Sequence, residues 1–174
     1  MHAVDDLQRL LGVSTLNGKI FCDIGCGNGL HAVVAVKMGV EVTAININPI
    51  SAATTFLQAE KFKVNHMLTV GSDSIFAHSL PLHRFDIFYS WGVLHYTGAM
   101  WRALDEAIKL VSLSSESIFA VVLYRKTSLC FFGDSRRSFI SRHLDLFRRL
   151  FESFGNVNGR ISPTEIQEST QIQT

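Results

Sequence analysis

"DIGCGNG", residues 23–29, sets glycines at 25, 27 and 29 between an apolar run and the apolar-rich stretch "LHAVVAVKMG". Glycine gives up more conformational freedom on folding than any other residue. Three in seven positions therefore mark a backbone that needs unusual φ values or a very close neighbour. The run before them, "KIFCDI" at 19–24, stops at Gly25 as a buried strand would. From Leu30 the chain reads as a helix, closed by Gly39 just after its last turn. A glycine loop joining a first strand to a first helix is where open parallel sheets bind nucleotides, next to helix N–H groups that have no partner of their own.

The spacing narrows the guest among a dinucleotide, a phosphate and a sulfonium nucleoside. Dinucleotide loops read G-x-G-x-x-G, with the third glycine inside the helix. Here the pattern is G-x-G-x-G followed by Leu30, and no Lys-Ser/Thr pair follows to make a phosphate-binding P-loop.

Outward from the loop, strands and helices alternate. "VEVTAIN" (40–46) is a β-branched strand, and Asn48 before Pro49 reads as N-cap and first residue of the helix "PISAATTFLQAEKF". "HMLTVG" (66–71), "RFDIFYSWGVL" (84–94) and "SIFAVVLY" (117–124) hold three further strands. Between the last two, Trp101, Leu104, Ile108 and Val111 recur at helical spacing and predict one face turned to a core. Strands are thus expected near 19–24, 41–46, 67–71, 85–90 and 117–124, in an α/β fold with a mainly parallel sheet covered on both faces. Right-handed crossovers place every strand's C-terminal end on one edge. After Tyr124, Ile140, Leu144, Phe147, Phe151 and Phe154 predict an amphipathic helix over 139–154. Residues 1–154 read as a single domain and 155–174 as a polar tail.

Composition agrees with one domain: 174 residues, 47% hydrophobic, net charge +1. That charge gives no specific nucleic-acid signal and no attraction to an anionic membrane. Residues 125–160 carry eight Lys/Arg against three Asp/Glu, read as a solvated helix face. Cys22, Cys26 and Cys130 fit neither a disulfide framework nor a zinc spacing, so no metal is expected. Asp5 and Asp6 stand where a signal peptide would be basic, and no apolar run nears the ~20 residues of a membrane span. A reduced, cytoplasmic protein is expected.

"DIGCGNG" resembles the first motif of class I S-adenosylmethionine-dependent methyltransferases. "YSWGVLHYTG" (89–98) is similar to the segment after the fourth strand in a bacterial branch of that family, roughly YSWGVLHHTG. The resemblance spans about residues 7–124. It implies a Rossmann-like αβα sandwich that transfers a methyl group from S-adenosylmethionine, here to a small-molecule acceptor. By position it puts the methionine part of the cofactor against Asp23, Gly25, Cys26, Gly27 and Gly29. Asp23 would hold the loop or meet the ammonium group. The family's ribose-binding acid is replaced by Asn46, which keeps an acceptor oxygen but loses the charge and the second oxygen. Asp73 stands where the family often has an acid facing adenine; a turn-forming Asp between Ser72 and Ser74 is the alternative.

The resemblance also turns the segment from Ser90 to Thr97 toward the cofactor's methyl group. His95 is then a candidate base or a packing residue, and Tyr96 orients an acceptor or covers the pocket. His31 reads as packing at a helix start, and Trp91 as an adenine wall or a plain strand-end aromatic. The family's sixth and seventh strands do not both fit into residues 125–174. The chain therefore reads as a fragment, a diverged short form, or an enzyme completed by another subunit or a second copy. With Asn46, this supports the alternative of a catalytically weak or inactive methyltransferase-like binding or regulatory subunit.

Overall fold

The computed structural model describes residues 3–13, 15–124 and 136–141. Each of the five expected runs becomes a strand: β1 (Ile20–Ile24), β2 (Glu41–Asn46), β3 (Leu68–Ser72), β4 (Ile87–Trp91) and β5 (Ile118–Tyr124). Helices α1 (Ala3–Leu11), α2 (Leu30–Lys37), α3 (Pro49–Lys61) and α4 (Met100–Leu110) lie between or before them. β1 to β5 are all parallel, and β6 (Arg136–Ser141) pairs antiparallel with β5. The sheet order is β3-β2-β1-β4-β5-β6. This is the expected α/β architecture of Rossmann type.

Two clusters of apolar side chains sandwich the sheet. Leu7, Leu11, Val33, Val36, Val42, Ile87 and Tyr89 fill one face, under α1, α2 and α3. Cys22, Ile24, Phe88, Leu104, Ile108 and Phe119 fill the other, under α4. β1, β4 and β5 are buried on both faces, which explains why their sequences read as nearly continuous apolar runs. α3 starts as its sequence predicts: the Asn48 side chain accepts from the Ile50 N–H at 2.9 Å, and Pro49 takes the first helical position.

Three expectations need correction or completion. Residues 139–141 belong to β6 and not to a helix. The apolar spacing there is also compatible with a strand, and the free edge of β5 offers ladder partners that a helix would leave unpaired. The remainder of the expected 139–154 helix, the 155–174 tail and most of the basic stretch lie outside the described residues. Trp101 stays 39% exposed in the first turn of α4, and the buried face is built by Ala103, Leu104, Ala107, Ile108 and Leu110. Helix α1 was not anticipated, although Leu7 and Leu11, four apart, are fully buried on α2. Among the described residues no helix is long and apolar enough to cross a membrane.

Candidate functional site at the strand ends

The chain steps outward from β1 to β2 and β3, then returns to place β4 on the other side of β1. Strand order reverses there, and the C-terminal edge at such a reversal is where open α/β sheets bind ligands. The glycine loop and the segment after β4 lie at that edge.

Neighbouring strands hold the loop. The N–H groups of Gly25 and Cys26 both donate to the carbonyl of Ile45 at the end of β2, at 2.8 and 3.2 Å. The Gly29 N–H closes the turn on the Cys26 carbonyl at 2.9 Å. All three glycines have positive φ, yet they serve different ends. A Cβ at Gly25 would run into the Val93 side chain, and one at Gly29 would sit 2.7 Å from the Thr55 methyl. A Cβ at Gly27 would meet nothing within 4 Å. Two of the glycines therefore let the protein close on itself, and Gly27 faces open space.

Asp23, on the central strand, is only 2% exposed. Its carboxylate takes part in no hydrogen bond or ion pair among the described residues. Desolvation by burial raises its pKa from 3.8 to about 7. The Cys26 thiol is pushed up to about 11, chiefly by burial; a 3.4 Å contact with the Thr55 hydroxyl opposes this.

The other expected site residues gather at the same edge, each with part of its side chain already engaged. Asn46 Oδ1 accepts from the Asn48 N–H at 2.9 Å. Asp73 accepts from the N–H groups of Ser74 at 2.8 Å and Ser79 at 3.2 Å, so it braces the loop after β3. Its own N–H donates to the Asn46 carbonyl at 3.1 Å, tying the two loops together. Ser90 is fully buried and its hydroxyl donates to the Ile24 carbonyl at 2.9 Å, so it braces β4 against β1.

His95 lies in a short 3-10 turn, Leu94–Tyr96, with its ring 4.0 Å from that of Tyr96. Burial lowers its pKa, which keeps the ring neutral near pH 7. Tyr96 itself is 76% exposed. His31 Nδ1 and the buried Tyr89 hydroxyl are 3.2 Å apart, and the imidazole stacks on Trp91 at 5.6 Å. Thr55 and Val93 were missed in the sequence. The signal for each is a small β-branched residue that the fold sets against a glycine, visible only once the loop is closed. Ile47 and Ile50, both 75% exposed beside Asn46, were equally unmarked.

A methyltransferase domain family matches residues 22–118, more than half of the chain and the whole of this edge. The chain belongs to the methyltransferase domain family. No curated protein sequence matches it. Among solved structures, a SAM-dependent methyltransferase from Aquifex aeolicus is similar at TM-score 0.62 and 16% identity, over 72% of this chain and 65% of that one. The YcgJ protein from Bacillus subtilis is similar at TM-score 0.61 and 15% identity, over 71% of this chain and 50% of that one. The [4+2]-cyclase SpnF gives TM-score 0.62 and 22% identity, over 71% of this chain and 46% of that one. At these identities the likeness is one of fold. The chain spans roughly half the length of these structures.

Proposed function

We propose that this chain is the cofactor-binding core of an S-adenosylmethionine-dependent methyltransferase acting on a small-molecule acceptor. The observation that carries the reading is Asp23: a carboxylate 2% exposed, with no described partner, beside a loop that is open at Gly27. A buried acid without a partner is costly, and a cationic guest removes the cost. An amino-acid ammonium group fits that demand. The Asn28 side chain accepts from the Leu30 N–H at 3.3 Å, and the first turn of α2 carries no acid, so its positive end is suited to the guest's carboxylate.

When bound, S-adenosylmethionine supplies a methyl group already activated on sulfonium, so the protein's task is alignment and proton management. Asp23 accepts from the ammonium group, and the Gly27 backbone lies along the guest. Asn46 and Asp73, joined through their backbones, flank the nucleoside end; Ser90 keeps β4 at its distance from β1. His95, held neutral by burial, takes the acceptor's proton where the acceptor carries one. A completing subunit or a second copy closes the acceptor side of the site.

Calorimetric titration with S-adenosylmethionine and, separately, NAD tests the reading. Binding of the first alone, abolished by Gly27→Arg, is expected. Preference for NAD, or unchanged binding in the variant, overturns it. A second reading, a methyltransferase-like binding subunit, has one observation in its favour. Asn46 stands in the ribose-binding place with its oxygen already accepting from the Asn48 N–H. Absence of any titration signal would favour that reading.

A further inference from the structure

Adjacent threonines in α3 behave differently. Thr54 donates to the Ile50 carbonyl of its own helix at 2.8 Å, as helical threonines commonly do. Thr55 is completely buried and turns away from its helix. Its hydroxyl donates to the Gly27 carbonyl at 3.2 Å and lies 3.4 Å from Cys26 Sγ. Its Cα and methyl occupy the space that Gly29 leaves by lacking a Cβ.

We infer that Thr55 is a positioning residue of the cofactor site, fixing the peptide after Gly27 so that the open side of the loop faces the guest. The inference rests on the proposed binding of S-adenosylmethionine at this loop. Gly27 has no side chain and nothing within 4 Å of its Cβ position, so packing cannot hold it. Of the loop's other anchors, those from Gly25 and Cys26 to Ile45 lie before Gly27, while the Gly29 bond to Cys26 and the Leu30 bond to the Asn28 side chain lie within the turn itself. The Thr55 hydroxyl is thus the described side-chain anchor on the Gly27 carbonyl. It also couples two halves of the site: α3 grows directly from the β2 end that carries Asn46, so Thr55 sets the glycine loop's position relative to the nucleoside end. Removing the hydroxyl deprives the half-buried Gly27 carbonyl and the buried Cys26 thiol of this partner, a cost the loop escapes by turning.

The test uses two pairs that differ chiefly by one hydroxyl: wild type against Thr55→Val, and Thr55→Ser against Thr55→Ala. The second pair keeps the test open if valine prevents folding. Affinity for S-adenosylhomocysteine is read by calorimetry, and amide hydrogen exchange is read residue by residue. The hydroxyl-free member of each pair should bind about fivefold more weakly, the equivalent of one lost hydrogen bond. Exchange at Gly29 and Leu30 should accelerate, while Gly25 and Cys26, bonded to Ile45, stay protected. Equal affinity within both pairs overturns the inference, as does acceleration spread evenly over the domain. If even wild type fails to bind, the proposed function falls, and exchange alone decides. Selective loss at Gly29 still supports Thr55 as the loop's anchor, and equal exchange refutes it.

Discussion

Asp23→Asn should stabilise the free protein at alkaline pH while weakening the site. In the folded chain the Asp23 pKa stands at about 7 against an ordinary 3.8, because burial disfavours the charged form. The native state therefore holds its proton more tightly than the unfolded chain does. The associated stability is fully present below the unfolded pKa and is lost as pH rises through the folded one. A gap of about three pKa units, at 1.36 kcal/mol each, corresponds to about 4 kcal/mol between mildly acidic and alkaline conditions. Asparagine has nearly the same shape and never ionises, so its profile lacks this decline.

The assay is urea unfolding of both proteins at intervals from pH 5 to 9. At pH 5 the wild-type carboxyl is protonated and the two should be close, apart from the cost of burying the amide. By pH 9 the variant should lead by several kcal/mol, a large share of a typical domain's total stability. Parallel profiles would refute the argument, since Asp23 would then ionise like an exposed carboxylate. The same variant should bind S-adenosylmethionine more weakly. Greater stability with weaker binding marks a residue kept at a cost to the fold.

Asn46→Asp should tighten S-adenosylmethionine binding about fivefold in calorimetry, because one oxygen keeps the Asn48 N–H while the other becomes a charged acceptor; an unchanged affinity would mean that another group holds the ribose. Gly27→Ala should cost about 1–2 kcal/mol through positive φ alone, whereas Gly29→Ala also meets Thr55 and should cost more in urea unfolding. Equal losses would contradict the different surroundings of the two glycines. Asn48→Ala should remove about 1 kcal/mol by uncapping α3, read in the same assay. A neutral result would mean that water caps the helix equally well.

The five parallel strands were legible because each is a β-branched or aromatic run that ends at turn residues, and their observed limits lie within two positions of expectation, those of β2 coinciding with it. β6 was not, because its pairing is decided by the free edge of β5 and not by anything local to 136–141. The glycine loop was legible as the turn from the first strand into α2, but the reason for each glycine was not. Val93 and Thr55 come from other segments, and only the closed fold shows that Gly25 and Gly29 make room for them.

The polar strand-end residues share the same limit: their identity can be read along the chain, whereas the direction of each side chain cannot. Asn46, Asp73 and Ser90 all commit oxygens to the scaffold, which lowers what each has left for a guest. Asp23 commits none among the described residues, and burial raises its pKa to about 7. The gain on binding should therefore concentrate at Asp23 and at the backbone around Gly27. By the same argument, repairing Asn46 is worth a single charge-assisted bond, while removing the Asp23 charge should uncouple stability from binding.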